Sequence, residues 1–324
     1  MSRSIQLKTR DILAISTLSG VGPVAVHKML ESGAADLADL RSLPPRIANS
    51  LANISERNAA FEYADKQFDW AESNGVTIIS RADRSYPPLL AKHPDAPAIL
   101  FAKGSLEALT LPSVGIIGTR EPTAHGVIAT KRMTAAFVQE GFAIVSGLAL
   151  GCDAIAHEEC VSLNAPGIAV LAHGLQTIAP KRNAKLADAI LAAGGLLISE
   201  FAFGVEPQPR LFVQRDKTQA LLSEAIVMMQ SDLKGGSLHA SRAALKYGRL
   251  LIVPCPTTLD ISNCEPKIQA NLVLADGPLE PKLELLGCSR DELARLMVVR
   301  SREDYPNMFG RMRSSIEPSQ TRLL

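Results

Sequence analysis

Aromatic side chains and an excess of charge of one sign are both scarce in this chain of 324 residues. Only 4% of the residues are aromatic, Trp70 is the single tryptophan, and the formal net charge is +1. So few rings weigh against a long platform on which successive nucleic-acid bases stack. A net charge near zero weighs against a protein that coats duplex DNA, so any surface for an anionic polymer must be local.

Paired cysteines and long apolar runs are also lacking. The odd number of cysteines and the absence of a Cys-x-x-Cys pair argue against a disulfide framework and a zinc site, and indicate a reducing cytoplasm. The first apolar segment is interrupted by glycine and proline, unlike a signal peptide, and no uncharged apolar run approaches membrane-spanning length. We expect a cytoplasmic protein without membrane attachment, metal or cofactor. The five cysteines are Cys152, Cys160, Cys255, Cys264 and Cys288.

Apolar β-type runs alternate regularly with helical segments between residues 113 and 257. Nearly continuous apolar strands are typical of a parallel sheet that is covered on both faces. A composition with 47% apolar and 21% charged residues fits a chain with a large core. The pattern predicts an α/β fold, an extended Rossmann-like, doubly wound parallel sheet. Its strands are expected at 114–117, 143–145, 168–171, 196–198, 225–229 and 250–253.

The length predicts about two domains. Residues 1–57 form a small helical module, of the helix-hairpin-helix or SAM-like type. Residues 58–287 form the Rossmann domain, in which 58–112 is an N-terminal extension that abuts the sheet. Residues 288–324 are interpreted as a charged C-terminal tail, because arginines and acids interleave there.

The turn Gly20-Val21-Gly22 in the helical module is the glycine-hydrophobe-glycine turn of a helix-hairpin-helix. Exposed amides at the start of the second helix are able to hold a DNA phosphate, with Lys28 as the nearby cation. A tight turn in a helical bundle without a ligand explains the same residues, and both interpretations stay open.

The strand-to-helix loops of the predicted sheet gather on one edge, because βαβ crossovers are right-handed. That carboxyl edge is where open α/β sheets bind ligands, and these loops offer glycines, hydroxyls and cations suited to phosphate. Loops after the first two strands make the expected crevice, with Arg120 at its mouth. The expected contacts are Gly118, Thr119, Arg120, Ser146, Gly147, Gly151, Lys181, Arg182, Asn183, Lys185, Arg215, Lys217, Gly235, Gly236 and Ser237.

Each of these features has a simpler explanation. A glycine followed by a hydroxyl residue after a strand is often only a tight turn. Cations disfavour a helix N-terminus, which favours a functional role for the cluster around Lys181. The histidines lack metal-ligand spacing, and no nucleophile elbow surrounds a serine, so no catalytic residue is expected. Glu200 is interpreted as a loop organiser.

At these residues the chain resembles the DNA-processing protein A family (DprA/Smf). The resembling motifs are Gly118-Thr119-Arg120, with Thr123 and His125-Gly126; Ser146 to Asp153, with Ala156-His157; Ala169 to Leu175, with Ala179-Pro180 and Asn183; Ser199-Glu200; Gly235 to Leu238; and Gly248-Arg249 with Val253-Pro254. The resemblance implies a non-enzymatic protein that binds single-stranded DNA and loads a RecA-type recombinase during natural transformation. It also implies phosphate contacts by Arg120, the Lys181 region and Arg215, and a homodimer.

Several positions depart from that family's pattern. The family's Arg-Asn-Arg is Arg215-Asp216-Lys217 here, which puts a negative charge where DNA is expected to pass. His125 stands where the family has tyrosine, and Cys255 where Val-Pro is followed by glycine. No C-terminal winged helix is recognisable. These departures indicate a diverged member.

Two other functions remain open at this point. The architecture also resembles that of the lysine-decarboxylase-like nucleotide phosphoribohydrolases, which predicts binding or hydrolysis of a small nucleotide. Gly235-Gly236-Ser237 lacks the proline and the later glutamate of that family's loop, which argues against hydrolysis. A scaffold that binds partners through its terminal segments is the third possibility.

Overall fold

The computed structural model describes residues 7–33, 37 and 39–320. Residues 1–6, 34–36 and 38 of the predicted helical module and residues 321–324 of the predicted tail lie outside the described residues. The chain begins with four helices, α1 (Thr9–Ser16), α2 (Pro23–Glu31), α3 (Pro45–Ala52) and α4 (Ile54–Ser73). The domain boundary expected at residue 57 lies inside α4, which runs on uninterrupted to the first strand.

Two strands extend the sheet at one side, as the apolar runs before residue 112 indicate. They are β1 (Thr77–Ser80) and β2 (Ile99–Gly104), with the short helix α5 (Pro88–Ala91) between them. β2 pairs antiparallel with β1 and with a later strand, β6 (Leu196–Ser199). Apolar residues of α1 to α4 pack against these strands in one cluster, so the helical module shares its core with the sheet extension.

The central region alternates strand and helix as predicted. Its elements are β3 (Ser113–Ile117), α6 (Ala124–Gln139), β4 (Ala143–Ser146), α7 (Cys152–Ser162), β5 (Gly167–Leu171), α8 (Ala184–Ala192), β6 (Leu196–Ser199), α9 (Pro209–Leu222), β7 (Ala225–Met228), α10 (Ser237–Lys246) and β8 (Leu250–Pro254). All pairings among β3 to β8 are parallel. The strand order is β1-β2-β6-β5-β4-β3-β7-β8-β9, in which β9 (Leu296–Val299) comes from the C-terminal segment.

Helices cover both faces of this sheet, because its strands are apolar on both sides. Apolar residues of α9, α10 and α12 pack on one face, and those of α6 and α7 pack on the other. The chain first winds outward from β3 to β6 and then returns to the other side of β3 to build β7 and β8. The fold is therefore the predicted extended Rossmann-like, doubly wound sheet, and its topological switch point lies between β3 and β7.

The C-terminal segment differs from the expected charged tail. Residues 258–287, within the predicted Rossmann domain, contain α11 (Thr258–Ser262), α12 (Gln269–Asp276) and α13 (Leu279–Leu286). In place of the expected tail, residues 288–320 contain α14 (Arg290–Leu293), β9 (Leu296–Val299) and α15 (Tyr305–Gln320). β9 pairs in parallel with β8 and completes the nine-stranded sheet. Met308 and Met312 of α15 are fully buried against the α6 face. The physical reason is that apolar residues between the arginines bury enough surface to dock the segment.

Candidate functional site

A pocket of about 840 Å³ opens at the carboxyl edge of the sheet, at the switch point between β3 and β7. We call it the central pocket. The loop after β3, the loop after β7 and the first turns of α9 and α10 form its walls. The sequence predicts a crevice made by the loops after β3 and β4; residues of both loops line the pocket, and the loop after β7 extends it to the other side of β3. Its lining includes Gly118, Thr119, Arg120, Asp153, Phe212, Arg215, Asp216, Lys234, Gly235, Gly236, Ser237, His239 and Lys267.

The first two of these loops, after β3 and after β4, pack closely against each other. The Cys152 amide donates to the Thr119 carbonyl over 3.1 Å, and Gly151 has a φ of +76°. A Cβ at Gly151 would lie 2.3 Å from the Thr119 carbonyl oxygen. A side chain there is excluded by sterics, so Gly151 lets the two loops touch and does not itself face the central pocket.

Arg120 stands exposed at the mouth of the central pocket, as predicted. Its loop is fixed from below, because the Thr119 amide donates to the Gln230 carbonyl over 2.7 Å. Among the residues that the structure describes, Arg120 forms no ion pair. A rigid loop therefore presents an unpaired guanidinium to the pocket.

The opposite wall is the start of α10. Gly236 occupies the N-cap position and no side chain caps the helix. The Ser237 hydroxyl donates to the Ser231 hydroxyl over 2.8 Å, and within the described residues the backbone amides of Gly236 and Ser237 have no hydrogen-bond partner. Lys234 precedes them, exposed and without an ion pair among the described residues. Free amides and a cation at a helix N-terminus attract anions.

Arg215 is buried beneath the central pocket, unlike the exposed phosphate ligand that the sequence predicted. Its Nη1 donates to the carbonyls of Gly147 and Val170, each over 2.7 Å, and its Nε donates to Asp216 over 3.1 Å. A Cβ at Gly147 would collide with this guanidinium. Gly147 therefore admits Arg215, and Arg215 ties α9 to the ends of β4 and β5.

Two further predicted contacts are buried structural residues. The Ser146 hydroxyl donates to the Ile116 carbonyl over 2.6 Å and joins β4 to β3. Asn183 donates to the Leu148 carbonyl over 2.8 Å and holds the loop after β4. Both side chains already have partners inside the protein, so neither faces the central pocket.

Other predicted residues lie elsewhere on the molecule. The exposed cations Lys181, Arg182 and Lys185 follow β5 at the carboxyl edge but do not line the central pocket. Lys217 points away and pairs with Asp95 at 3.5 Å.

In the helical module, Gly20 and Gly22 form the turn between α1 and α2, and Gly22 is the N-cap of α2. Lys28 lies in the last turn of α2, at the other end of that helix. The cation beside the turn is Arg46, which donates to the Gly20 carbonyl over 3.1 Å. No sequence pattern predicts Arg46 at this turn, because α3 brings it there across the module.

Acidic groups offset much of the positive charge in the central pocket. Lys267 lies 3.2 Å from Asp232 and 3.9 Å from Glu121, whereas Arg215 is paired with Asp216. Burial raises the pKa of Asp216 to about 6, against the opposing effect of Arg215. Burial also raises the pKa of Asp153, which accepts hydrogen bonds from the Gly147 and Ala149 amides. Arg120 and Lys234 are therefore the cations of the pocket that form no ion pair among the described residues.

Sequence reasoning missed several residues of the central pocket. Lys267 comes from a 3₁₀ turn (Pro266–Ile268) far along the chain, and His239 lies in the first turn of α10. No spacing in the sequence ties Lys267 to the other loops, since only the docking of the segment after β8 brings it near. The position of His239, three residues after Gly236, was the one available signal.

Glu200, the carboxylate that follows β6, has a structural role. Glu200 accepts hydrogen bonds from Thr218 and Gln214, each over 2.7 Å, and burial raises its pKa. It thereby holds α9 in place as a loop organiser. Within the described ranges there is no group of three or more metal-ligating side chains, and none of the helices found there is long and apolar enough to cross a membrane.

Comparisons with known proteins agree with this fold. A family model described as DNA recombination-mediator protein A matches residues 77–273. Protein Smf of Synechocystis is 32% identical over 251 residues, which are 73% of this chain and 62% of the relative. DNA processing protein DprA of Bacillus subtilis is 37% identical over 54% of this chain and 59% of its own length. The chain thus spans about three-fifths of these curated relatives.

Solved structures resemble the chain as well. The DprA structure from Streptococcus pneumoniae has a TM-score of 0.66 at 25% identity, covering 85% of this chain and 99% of that one. The Helicobacter pylori DNA processing protein A, whose structure describes a single-stranded DNA binding mode, has a TM-score of 0.58 at 26% identity, covering 73% and 96%. Because the family model spans more than half of the sequence and the Synechocystis relative covers still more, the chain belongs to the DNA recombination-mediator protein A family, the DprA/Smf proteins.

Proposed function

We propose that this protein binds single-stranded DNA, with a backbone phosphate of the strand held in the central pocket between Arg120 and the N-terminus of α10. The observation that carries the proposal is the pairing of an exposed, unpaired guanidinium with uncapped helix amides at the switch point of the sheet. Guanidinium and backbone amides both donate to phosphate oxygens, and the helix dipole adds to the attraction.

Single strands suit this pocket better than a duplex. Few of its cations lack an ion-pair partner among the described residues, and the partly buried aromatic ring of Phe212 lies on its wall. The family relatives are DNA-processing proteins, and the Helicobacter pylori member binds single-stranded DNA. The hydrogen bonds that occupy Glu200 support a binding role over nucleotide hydrolysis at this edge.

The wider role that we propose follows from the family. The protein would act without catalysis in the cytoplasm, as a homodimer, and would hand bound DNA to a RecA-type recombinase in natural transformation or recombination. A RecA strand-exchange assay on DNA already bound by this protein tests the handover, since loading should shorten the lag before exchange begins.

Removing the Arg120 side chain tests the site. Arg120→Ala should weaken binding of a labelled oligothymidylate by about 1.5–3 kcal/mol, the usual size of a hydrogen bond to a charged group. Fluorescence anisotropy at two salt concentrations, beside a duplex of equal length, measures the loss. The matched control is Arg290→Ala, because α14 immediately precedes β9 and so places Arg290 at the amino edge of the sheet.

Three outcomes separate the proposal from its rivals. The proposal is supported if the protein binds single strands tightly, in preference to duplex and with strong salt dependence, and if Arg120→Ala weakens that binding. Unchanged affinity in that variant would remove the central pocket from the proposal. Turnover of a nucleoside monophosphate by the intact protein would favour the nucleotide-hydrolysing alternative instead.

A further inference from the structure

A second pocket, of about 280 Å³, opens on the same carboxyl edge, at the ends of β7, β8 and β9. It is next to the central pocket, because Gln230 lines the second pocket and Ser231 lines the central one. Consecutive Cα atoms lie about 3.8 Å apart, so one peptide unit separates the two linings at this point. The first turns of α6 and α15 close its sides.

The charge of the second pocket is of one sign. Its lining includes Arg132, Arg300 and Arg302 and no carboxylate, whereas the central pocket has both signs. Arg300 is paired with Asp276 over 2.6 Å. Arg132 and Arg302 are exposed, and neither has an ion-pair partner in the described part of the chain.

One hydroxyl lies near both free guanidinium groups. Burial raises the pKa of the Tyr305 phenol, and the charges of Arg302 and Arg132 oppose that rise. Arg132 comes from α6 and Arg302 from the turn before α15, so elements distant in sequence converge on Tyr305. Two fork-shaped donors beside a phenol hydroxyl suit the oxygens of a phosphate.

Two of this chain's departures from the family pattern also lie in this pocket. His125 and Cys255 are both part of its lining, and Arg300 Nη1 lies 3.6 Å from Cys255 Sγ. A glycine at position 255 would offer no such contact to β9. The second pocket is therefore shaped in part by residues that distinguish this chain.

We infer that the second pocket is a phosphate subsite for the same single strand of DNA, which passes from the central pocket over Gln230 to Arg132 and Arg302. This inference rests on the proposed function and extends the DNA track towards β9. Arg300 orients the wall through Asp276, whereas Arg132 and Arg302 contact the phosphate.

The test compares oligothymidylates of two lengths, one that fills the central pocket alone and one several nucleotides longer. In the double variant Arg132→Gln with Arg302→Gln, affinity for the longer strand should fall by roughly tenfold or more, whereas affinity for the shorter strand stays unchanged. The slope of log affinity against log salt should flatten for the longer strand by about 1.4, which is about 0.7 for each lost contact.

Lys131→Gln is the matched control, since Lys131 is exposed, adjoins Arg132 on α6 and does not line the pocket. An unchanged midpoint of thermal unfolding shows that the double variant is folded. If Arg120→Ala weakens binding but the double substitution changes the affinity for neither length of strand, this inference is overturned and the proposed function stands. An equal loss at both lengths would overturn it too, whereas indifference to Arg120→Ala would count against the proposed function itself.

Discussion

At the scale of single residues, the neighbours Arg215 and Asp216 have different places in the site. Arg215 is buried and donates to the Gly147 and Val170 carbonyls, so its guanidinium supports the pocket floor from within. Asp216 lines the central pocket and accepts from Arg215. The negative charge that the sequence places on the DNA path is therefore present at the pocket, and partly neutralised there by Arg215.

The raised pKa of Asp216 should make the proposed DNA binding sensitive to pH. With a pKa of about 6, its carboxylate is ionised at neutral pH and takes up a proton as the pH falls through that value. A bound phosphate favours the protonated form, so affinity for oligothymidylate should rise as the pH is lowered from neutral to about 6. Asp216→Asn should bind more tightly at neutral pH and lose most of this pH dependence in an anisotropy titration.

Lys217→Gln is the control for that experiment, because Lys217 is the next residue on α9 and is paired with Asp95 outside the pocket. An Asp216→Asn protein with wild-type affinity at neutral pH would show that the strand does not approach this carboxylate. A pH dependence that persists in full would assign it to a group other than Asp216.

Residues that follow strands were the most predictable part of the site. Gly118 to Arg120 and Gly235 to Ser237 reach the central pocket because right-handed crossovers bring strand-to-helix loops to one edge. Ser146 and Asn183 also follow strands, but their side chains are buried and donate to backbone carbonyls. Position in the sequence does not show which polar side chains make such internal hydrogen bonds. Tertiary docking alone brings Lys267 to the pocket.

At the scale of elements, the C-terminal strand and helix were misinterpreted although their pattern was present. Tyr305, Met308, Phe309 and Met312 follow the i, i+3, i+4, i+7 spacing of one helix face. The arginines among them suggested a solvated tail. In the structure, the Phe309 ring packs edge-on against Phe137 of α6, with ring centroids 5.2 Å apart. Charged residues on the outer face of a helix do not prevent docking of the inner face.

Truncating a buried side chain of α15 should therefore destabilise the whole protein. Met308→Ala is expected to lower the free energy of unfolding by about 2–5 kcal/mol, because it leaves a cavity between α15 and the sheet. Urea unfolding measures the change, and Asn307→Ala, at the exposed neighbouring position, is its control. A wild-type unfolding curve for Met308→Ala would mean that α15 contributes nothing to the folded core.

At the scale of the whole molecule, several exposed cations follow strands at the carboxyl edge of the sheet, although the net charge is only +1. Lys181 and Lys185 follow β5, the central pocket lies at β3 and β7, and the second pocket lies at β8 and β9. From β5 to β9 there are five steps in the strand order, and at about 4.8 Å a step they span about 24 Å. A strand crossing this edge would pass the cations after β5 and both pockets.

This arrangement predicts additive effects of the two flanking clusters on long single strands. Lys181→Gln with Lys185→Gln should flatten the salt slope by about 0.7 for each lost contact. Combining it with Arg132→Gln and Arg302→Gln should give the sum of the two changes, because sites more than about 10 Å apart act independently. The paired control is Lys66→Gln with Lys246→Gln, since Lys66 lies in α4 and Lys246 ends α10 at the amino edge. The Lys181 and Lys185 substitutions could leave the salt slope at its wild-type value while the Arg132 and Arg302 substitutions flatten it. That result would mean that the strand runs from the central pocket towards β9 alone, and that the loop after β5 does not contact the DNA.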